Sequence, residues 1–240
     1  MRKVSLVVFD MAGTTIKDEK EVEKCFAQAC LLSGLEVSGH RILAMQGYAK
    51  REVFSILWSE VLKGHLKELD NKVGSSYDLF CQILENHYEI HPVIATKYCI
   101  ETFEWLRNNS IKIALTTGFY RKVADIILKK IGWLNGLNHQ YYNEKGHSVI
   151  DFSITPTEAG FGRPHPEMIN MAMKRFQISD SKNVINIGDT PVDLKFGYNA
   201  NVLLSLGITN GTHTKEQLEV EKNDGLLGKL SELRAIIENL

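Results

Sequence analysis

Apolar positions along the chain fall into two patterns. The first is a set of short runs: "VSLVVF" at 4–9, "IKIALT" at 111–116, "NVINIG" at 183–188 and "NVLLSLGI" at 201–208. Short runs rich in Val and Ile predict parallel strands buried on both faces. The second has helical spacing. "CIETFEWLRNN" precedes the second run and "YRKVADIILKKIG" follows it; "PEMINMAMKRF" precedes the third and "TPVDLKFGYNA" follows it. Strands alternating with helices predict an α/β fold with a doubly wound parallel sheet. Right-handed crossovers bring the carboxyl ends of such strands to one edge, where these sheets bind ligands.

Residues 19–90 break the alternation. "EKEVEKCFAQACLLSGL", "KREVFSILWSEVLKG" and "YDLFCQILENHYEI" carry helical patterns with no strand between them. They predict an all-helical subdomain inserted after the first strand, over residues 17–92, with the core formed by 1–16 and 93–240. His91-Pro92 marks the return, because the residue before proline is pushed out of helix. The tail from Glu216 is expected to close with a helix on the core.

Composition narrows the function classes. The 240 residues include 44% apolar ones, a globular proportion. Lys+Arg number 28 against 29 Asp+Glu, so no charge excess points to nucleic acid or an anionic membrane. No apolar run reaches bilayer length. The start, "MRKVSLVVFD", meets Asp10 too early for a signal peptide. A cytoplasmic location is therefore expected. Cys25, Cys30, Cys81 and Cys99 form no CxxC pair and read as small apolar residues in a reducing compartment.

Candidate chemistry sits at the strand ends. Asp10 closes the first strand and is a nucleophile, a metal ligand or a turn acid, with Gly13 allowing the sharp exit. Thr117 and Gly118 end the second strand with a hydroxyl and a backbone N–H that suit a phosphate oxygen. Arg163 stands in "GFGRPHP", a loop stiffened by two prolines, and guanidinium suits a phosphoryl or phosphonyl group. Asp189 and Asp193 in "GDTPVD" offer oxygen ligands to a hard cation such as Mg²⁺, or act as helix caps. Each signal alone is weak. Their order along one sheet is seldom a matter of chance.

Together, "FDMAGTT", "TTG", "GRPHP" and "GDTPVD" resemble the four motifs of the haloacid dehalogenase superfamily, in order and over the whole chain. The resemblance implies phosphoryl-transfer chemistry on a Rossmann-like core with a mobile cap. It implies Asp10 as nucleophile and Mg²⁺ ligand, with the Ala12 carbonyl and Asp189 completing the metal site and Asp193 supporting it, directly or from behind the ligands. Thr117 and Arg163 would hold the phosphoryl group, beside Gly13 and Gly118.

Two positions refine the resemblance. The usual second aspartate is Ala12, and the usual lysine of the third motif is Arg163. Both are similar to the phosphonatase-like branch, in which a cap lysine forms a Schiff base with a carbonyl-bearing phosphonate. "MQGYAKREV" at 45–53 then implies Lys50 for that role, with Gly47 beside it as a substrate-binding residue and Arg51 as a neighbour that lowers the amine's pKa. An iminium takes the electrons released by C–P cleavage, so no second aspartate is needed. Val53, Gln46 and Phe119 replace the histidine, methionine and tyrosine of the phosphonatase pattern.

The expected partner is a small phosphonate or phosphate metabolite, and a homodimer is allowed. Two other functions stand beside C–P cleavage: a phosphate monoesterase on a small metabolite, and a non-enzymatic binding protein on the same scaffold. Turnover across a phosphate and phosphonate panel with Mg²⁺ separates them.

Overall fold

The computed structural model describes residues 4–63 and 66–240. Residues 1–3 of the expected core and 64–65 of the expected helical insert lie outside the described residues. The first strand, β1, spans Leu6–Asp10 and is buried along its whole length. Four helices follow: α1 (Glu21–Leu32), α2 (Gly39–Ala44), α3 (Lys50–Leu62) and α4 (Leu69–Ile90). The chain then alternates: α5 (Cys99–Asn108), β2 (Lys112–Thr116), α6 (Arg121–Lys130), β3 (Phe152–Ile154), α7 (Pro156–Ala159) and α8 (Glu167–Arg175). It ends with β4 (Val184–Gly188), α9 (Pro191–Asn199), β5 (Leu204–Ile208), α10 (Lys215–Glu219), β6 (Leu226–Leu227) and α11 (Leu233–Glu238).

The six strands form one parallel sheet in the order β3-β2-β1-β4-β5-β6. The fold is the doubly wound, Rossmann-like α/β architecture expected. β1 lies between β2 and β4, which is why its run is apolar throughout. The pairing sets Asp10 opposite Thr116, one residue before Thr117, and Phe9 opposite Ile187. Register therefore brings the ends of β1, β2 and β4 to one edge.

The helical block has its own apolar centre. Phe26 of α1, Phe54 of α3 and Phe80 of α4 meet with ring centroids 4.7, 5.7 and 6.3 Å apart. Such pairs add about 0.5–1.5 kcal/mol each beyond burial. Truncating fully buried Phe54 to Ala is expected to cost about 3–5 kcal/mol. The Trp58 indole N–H donates to Ser76 Oγ at 2.9 Å and ties α3 to α4.

Two connections join block and sheet. The Lys17 N–H donates to Ile94 O and the Thr96 N–H to Thr15 O, both at 2.9 Å, and Thr96 Oγ1 donates to Thr14 O at 2.7 Å. Outgoing and returning chains are thus bonded side by side. Lys130 of α6 donates to the carbonyls of Tyr88, Glu89 and His91 at 2.9, 2.8 and 2.6 Å. A cation there satisfies the last carbonyls of α4 and the negative end of its dipole.

Candidate active site

At the carboxyl edge of the sheet, one cavity is lined by Asp10, Ala12, Thr117, Gly118, Arg163, Asp189 and Asp193 from the sheet side, and by Gly47 and Lys50 from the helical block. Its free volume is about 40 Å³, room for a few waters. Gly13 does not line it. That glycine has φ +88°, and a side chain there would strike the Asp189 carboxylate. Its part is to let β1 turn away while Asp189 packs close.

The carboxylates are held by local chain chemistry. Asp10 is 5% exposed and forms an ion pair with Arg163, Oδ1 to Nη1 2.7 Å. Burial raises its pKa well above the ordinary carboxylate value; Arg163 opposes this, while Asp193 and Asp189 add to it. Asp189 accepts from the Thr212 N–H at 2.6 Å and from Thr14 Oγ1 at 3.3 Å. Burial and then Asp193 raise its pKa to about 6.

Asp193 closes a capping box at the start of α9, with Thr190 as N-cap and Pro191 in the first turn. Its Oδ2 accepts from the Thr190 N–H at 3.0 Å and from Thr190 Oγ1 at 2.6 Å, and its Oδ1 pairs with Arg163. Both oxygens are engaged. With its oxygens so engaged, Asp193 suits the supporting one of the two places expected for it, behind Asp10 and Asp189. Among the described residues, no three His, Cys, Asp or Glu side chains form a metal cage. The donor chemistry that fits a divalent cation is a pair of buried carboxylates plus backbone oxygen.

Lys50, in the first turn of α3, is 7% exposed. Its Nζ donates to Met45 O at 3.1 Å and Gln46 Oε1 at 3.3 Å. Burial, then Arg163, lower its pKa to about 7, so a large share is free amine near neutrality. Arg51 is not the cause expected. It is exposed and reaches over the Tyr77 ring, 5.8 Å from its centroid.

The segment before α3 sits on three strand-end loops. Gly47 has φ +83°, and a Cβ there would lie 2.6 Å from Thr190 Oγ1. A Cβ on Gly118 would lie 3.0 Å from Gly47 O, and one on Gly162 2.8 Å from Ala49 Cβ. Glycines at these positions let the helical block close directly over the sheet edge.

Sequence reasoning missed three contributions. The loop after β5 brings Thr212 to Asp189, and its Gly211 packs so closely that a Cβ would lie 2.6 Å from Gly13 O. The signal was available: "GITNGT" follows another parallel strand end. Gln46 and Tyr48 line the cavity beside Gly47. Asp18 lines it too, from within the charged stretch "KDEKEV". Burial, then the Glu21 carboxyl, raise Asp18 to about 8. At Glu21 burial works upward, but hydrogen bonds from Asp18 and backbone N–H groups outweigh it and lower the pKa.

Comparison with known proteins gives the family. The profile of a haloacid dehalogenase-like hydrolase matches residues 4–201. Among curated sequences, the chain is 30% identical over 257 residues to a phosphonoacetaldehyde hydrolase of Bacillus mycoides, covering 98% of this chain and 86% of that one. It is 28% identical to that of Latilactobacillus sakei, covering 85% and 75%. Among solved structures, a phosphonoacetaldehyde hydrolase-like protein from Oleispira antarctica superposes with TM-score 0.77 at 17% identity, covering 98% and 92%. A hydrolase from Pseudomonas syringae gives TM-score 0.76, also at 17% identity, covering 98% and 99%. The chain belongs to the haloacid dehalogenase-like hydrolase family and is a hydrolase of that superfamily.

Proposed function

We propose that this hydrolase cleaves the C–P bond of a small carbonyl-bearing phosphonate, with Asp10 as nucleophile and Lys50 as Schiff-base amine. One observation carries the reading. A buried lysine with a pKa lowered to about 7 faces the cavity that also holds Asp10. A phosphatase has no need of a free amine there, whereas imine formation requires one. The phosphonoacetaldehyde hydrolases among its relatives support the same substrate class.

The residues divide the reaction. Arg163, Thr117 and the Gly118 N–H bind the phosphoryl oxygens and turn phosphorus toward Asp10. The Lys50 amine adds to the substrate carbonyl, and loss of water gives an iminium. Asp10 Oδ then attacks phosphorus. The C–P electrons move into the iminium and leave an enamine on Lys50, with an aspartyl-phosphate on Asp10. Water hydrolyses both. Ala12 in place of an acid suits a carbon leaving group, which takes electrons into a π-system and not a proton onto oxygen.

Asp10, the Ala12 carbonyl and Asp189 are the oxygen donors that would hold Mg²⁺. The raised pKa values of the two buried acids mark a site short of positive charge, which fits a cation. Bound there, Mg²⁺ supplies charge neutralisation for the phosphoryl oxygens. Residues 17–92 form the cap, which excludes water from the reacting groups when it closes. The acids of the mechanism are buried and the cavity is small, so the substrate is a small metabolite.

The test is phosphate release from matched panels of phosphonates and phosphate esters with Mg²⁺. The reading expects phosphonoacetaldehyde or a close carbonyl analogue to exceed every ester in kcat/KM. Preference for an ester, with no phosphonate cleaved, overturns it in favour of the monoesterase.

A further inference from the structure

We propose that Asp18 is the acid–base residue of the carbon half of the reaction: it protonates the departing hydroxyl when the Lys50 carbinolamine loses water. The proposal rests on the Lys50 imine reading above. Its starting point is the set of acids lining the cavity: Asp10, Asp18, Asp189 and Asp193. Asp10 is paired with Arg163, Asp189 is held by Thr212 and Thr14, and Asp193 by Arg163 and Thr190. Asp18 alone is free of the phosphoryl-side machinery.

Asp18 precedes α1 and its Oδ1 accepts from the Glu21 N–H at 2.9 Å. Burial and the neighbouring Glu21 carboxyl raise the Asp18 pKa to about 8, which favours its protonated form near neutrality. The titratable groups facing Asp18 are Glu21 and Cys25 of α1, Lys50 of α3, Tyr88 of α4 and Asp189 beyond β4. Asp18 and the Lys50 amine thus line one cavity, both from the helical block.

The step balances. The neutral carbinolamine takes the Asp18 proton on its oxygen. The C–O bond breaks, water leaves, and the nitrogen lone pair forms the C=N bond. Asp18 is left as carboxylate beside the iminium, whose charge it stabilises. After C–P cleavage and protonation of the enamine from solvent, water adds to the product iminium. Asp18 takes the proton from that water and is restored.

A capping role alone predicts something different, and Asp18→Asn separates the two. The amide keeps the oxygen that accepts from Glu21 N–H and offers an N–H to the Glu21 carboxylate, but has no proton to transfer. The experiment measures the rate of borohydride-trapped adduct with phosphonoacetaldehyde and Mg²⁺, together with melting temperature and the melting shift given by orthovanadate. Asp18→Asn is expected to slow trapping by about 10²-fold or more, with melting temperature and vanadate shift kept. Asp18→Ala is expected to lose the cap as well and melt lower.

Wild-type trapping rates in Asp18→Asn overturn the proposal and leave the imine reading intact. Slow trapping in Tyr48→Phe with normal trapping in Asp18→Asn also overturns it, and assigns the proton to Tyr48. Absence of any trapped adduct in wild type overturns the imine reading, and this proposal with it.

Discussion

Arg163 Nη1 stands 2.7 Å from Asp10 Oδ1, and the same nitrogen pairs with Asp193. One buried cation thus holds the candidate nucleophile and the capping acid of α9 together. Burial works to lower the pKa of the guanidinium, but Asp193 and Asp10 outweigh it. Removing it leaves two buried carboxylates without their shared cation, although Asp193 keeps its bonds from Thr190. Arg163→Met is expected to destabilise the fold by about 3–5 kcal/mol in urea unfolding near neutral pH. An unchanged midpoint would mean that the two acids are otherwise compensated.

Lys50 has the opposite signature, a charge whose burial costs stability. Folding lowers its pKa from 10.5 to about 7. Between those values the unfolded chain binds the extra proton, so this group's contribution to stability rises with pH across that window. Its penalty is complete below about pH 7 and fades toward pH 10.5. Lys50→Met is therefore expected to be more stable than wild type at about pH 6, by several kcal/mol. The gap should close as pH approaches 10. Urea unfolding of both proteins across pH checks this, and a gap independent of pH would contradict it.

Gly162 and Ala49 test closure of the cap. A Cβ on Gly162 would lie 2.8 Å from Ala49 Cβ, so Gly162→Ala should hold the segment before α3 away from the loop. The expected loss in kcat/KM is about tenfold or more, since small displacements of reacting groups are costly. Ala49→Gly in the same chain removes the opposing methyl and should restore most of it. Failure of that rescue would place the effect within the loop itself.

The chemistry at the strand ends was legible because position in a parallel sheet follows from apolar runs. β1, β2, β4 and β5 were all visible as such runs, and their ends carry Asp10, Thr117 and Asp189. β3 and β6 were not, since strands of three and two residues leave no pattern to read. The six-residue α2 escaped for the same reason, and α4 begins eight residues before the expected Tyr77. Lys50 was found through the resemblance of "MQGYAKREV" to the phosphonatase-like segment, but the source of its shifted pKa was not. Sequence proximity suggested Arg51, whereas the fold buries the Lys50 amine, turns Arg51 outward and brings Arg163 from a distant loop. Asp18 was hidden among charged neighbours, because burial of a loop acid depends on contacts remote in sequence.

Asp10 and the metal are tested together. Asp10→Asn keeps the side chain's shape and is expected to lose turnover by about 10³-fold or more without a lower melting temperature. EDTA should abolish wild-type turnover, and Mg²⁺ should restore it. A folded Asp10→Asn protein that turns over at the wild-type rate would remove Asp10 from the mechanism. Full activity in EDTA would return Asp189 to a purely structural role.

The proposed mechanism turns on a covalent bond between Lys50 and substrate. Wild-type protein incubated with phosphonoacetaldehyde, Mg²⁺ and borohydride, then digested and mapped by mass spectrometry, reads that bond directly. The expected result is a reduced two-carbon adduct on Lys50, lost activity in proportion to labelling, and no adduct at this position in Lys50→Arg, whose guanidinium forms no imine under these conditions. An unmodified Lys50 in protein that still releases phosphate from the same substrate would contradict it.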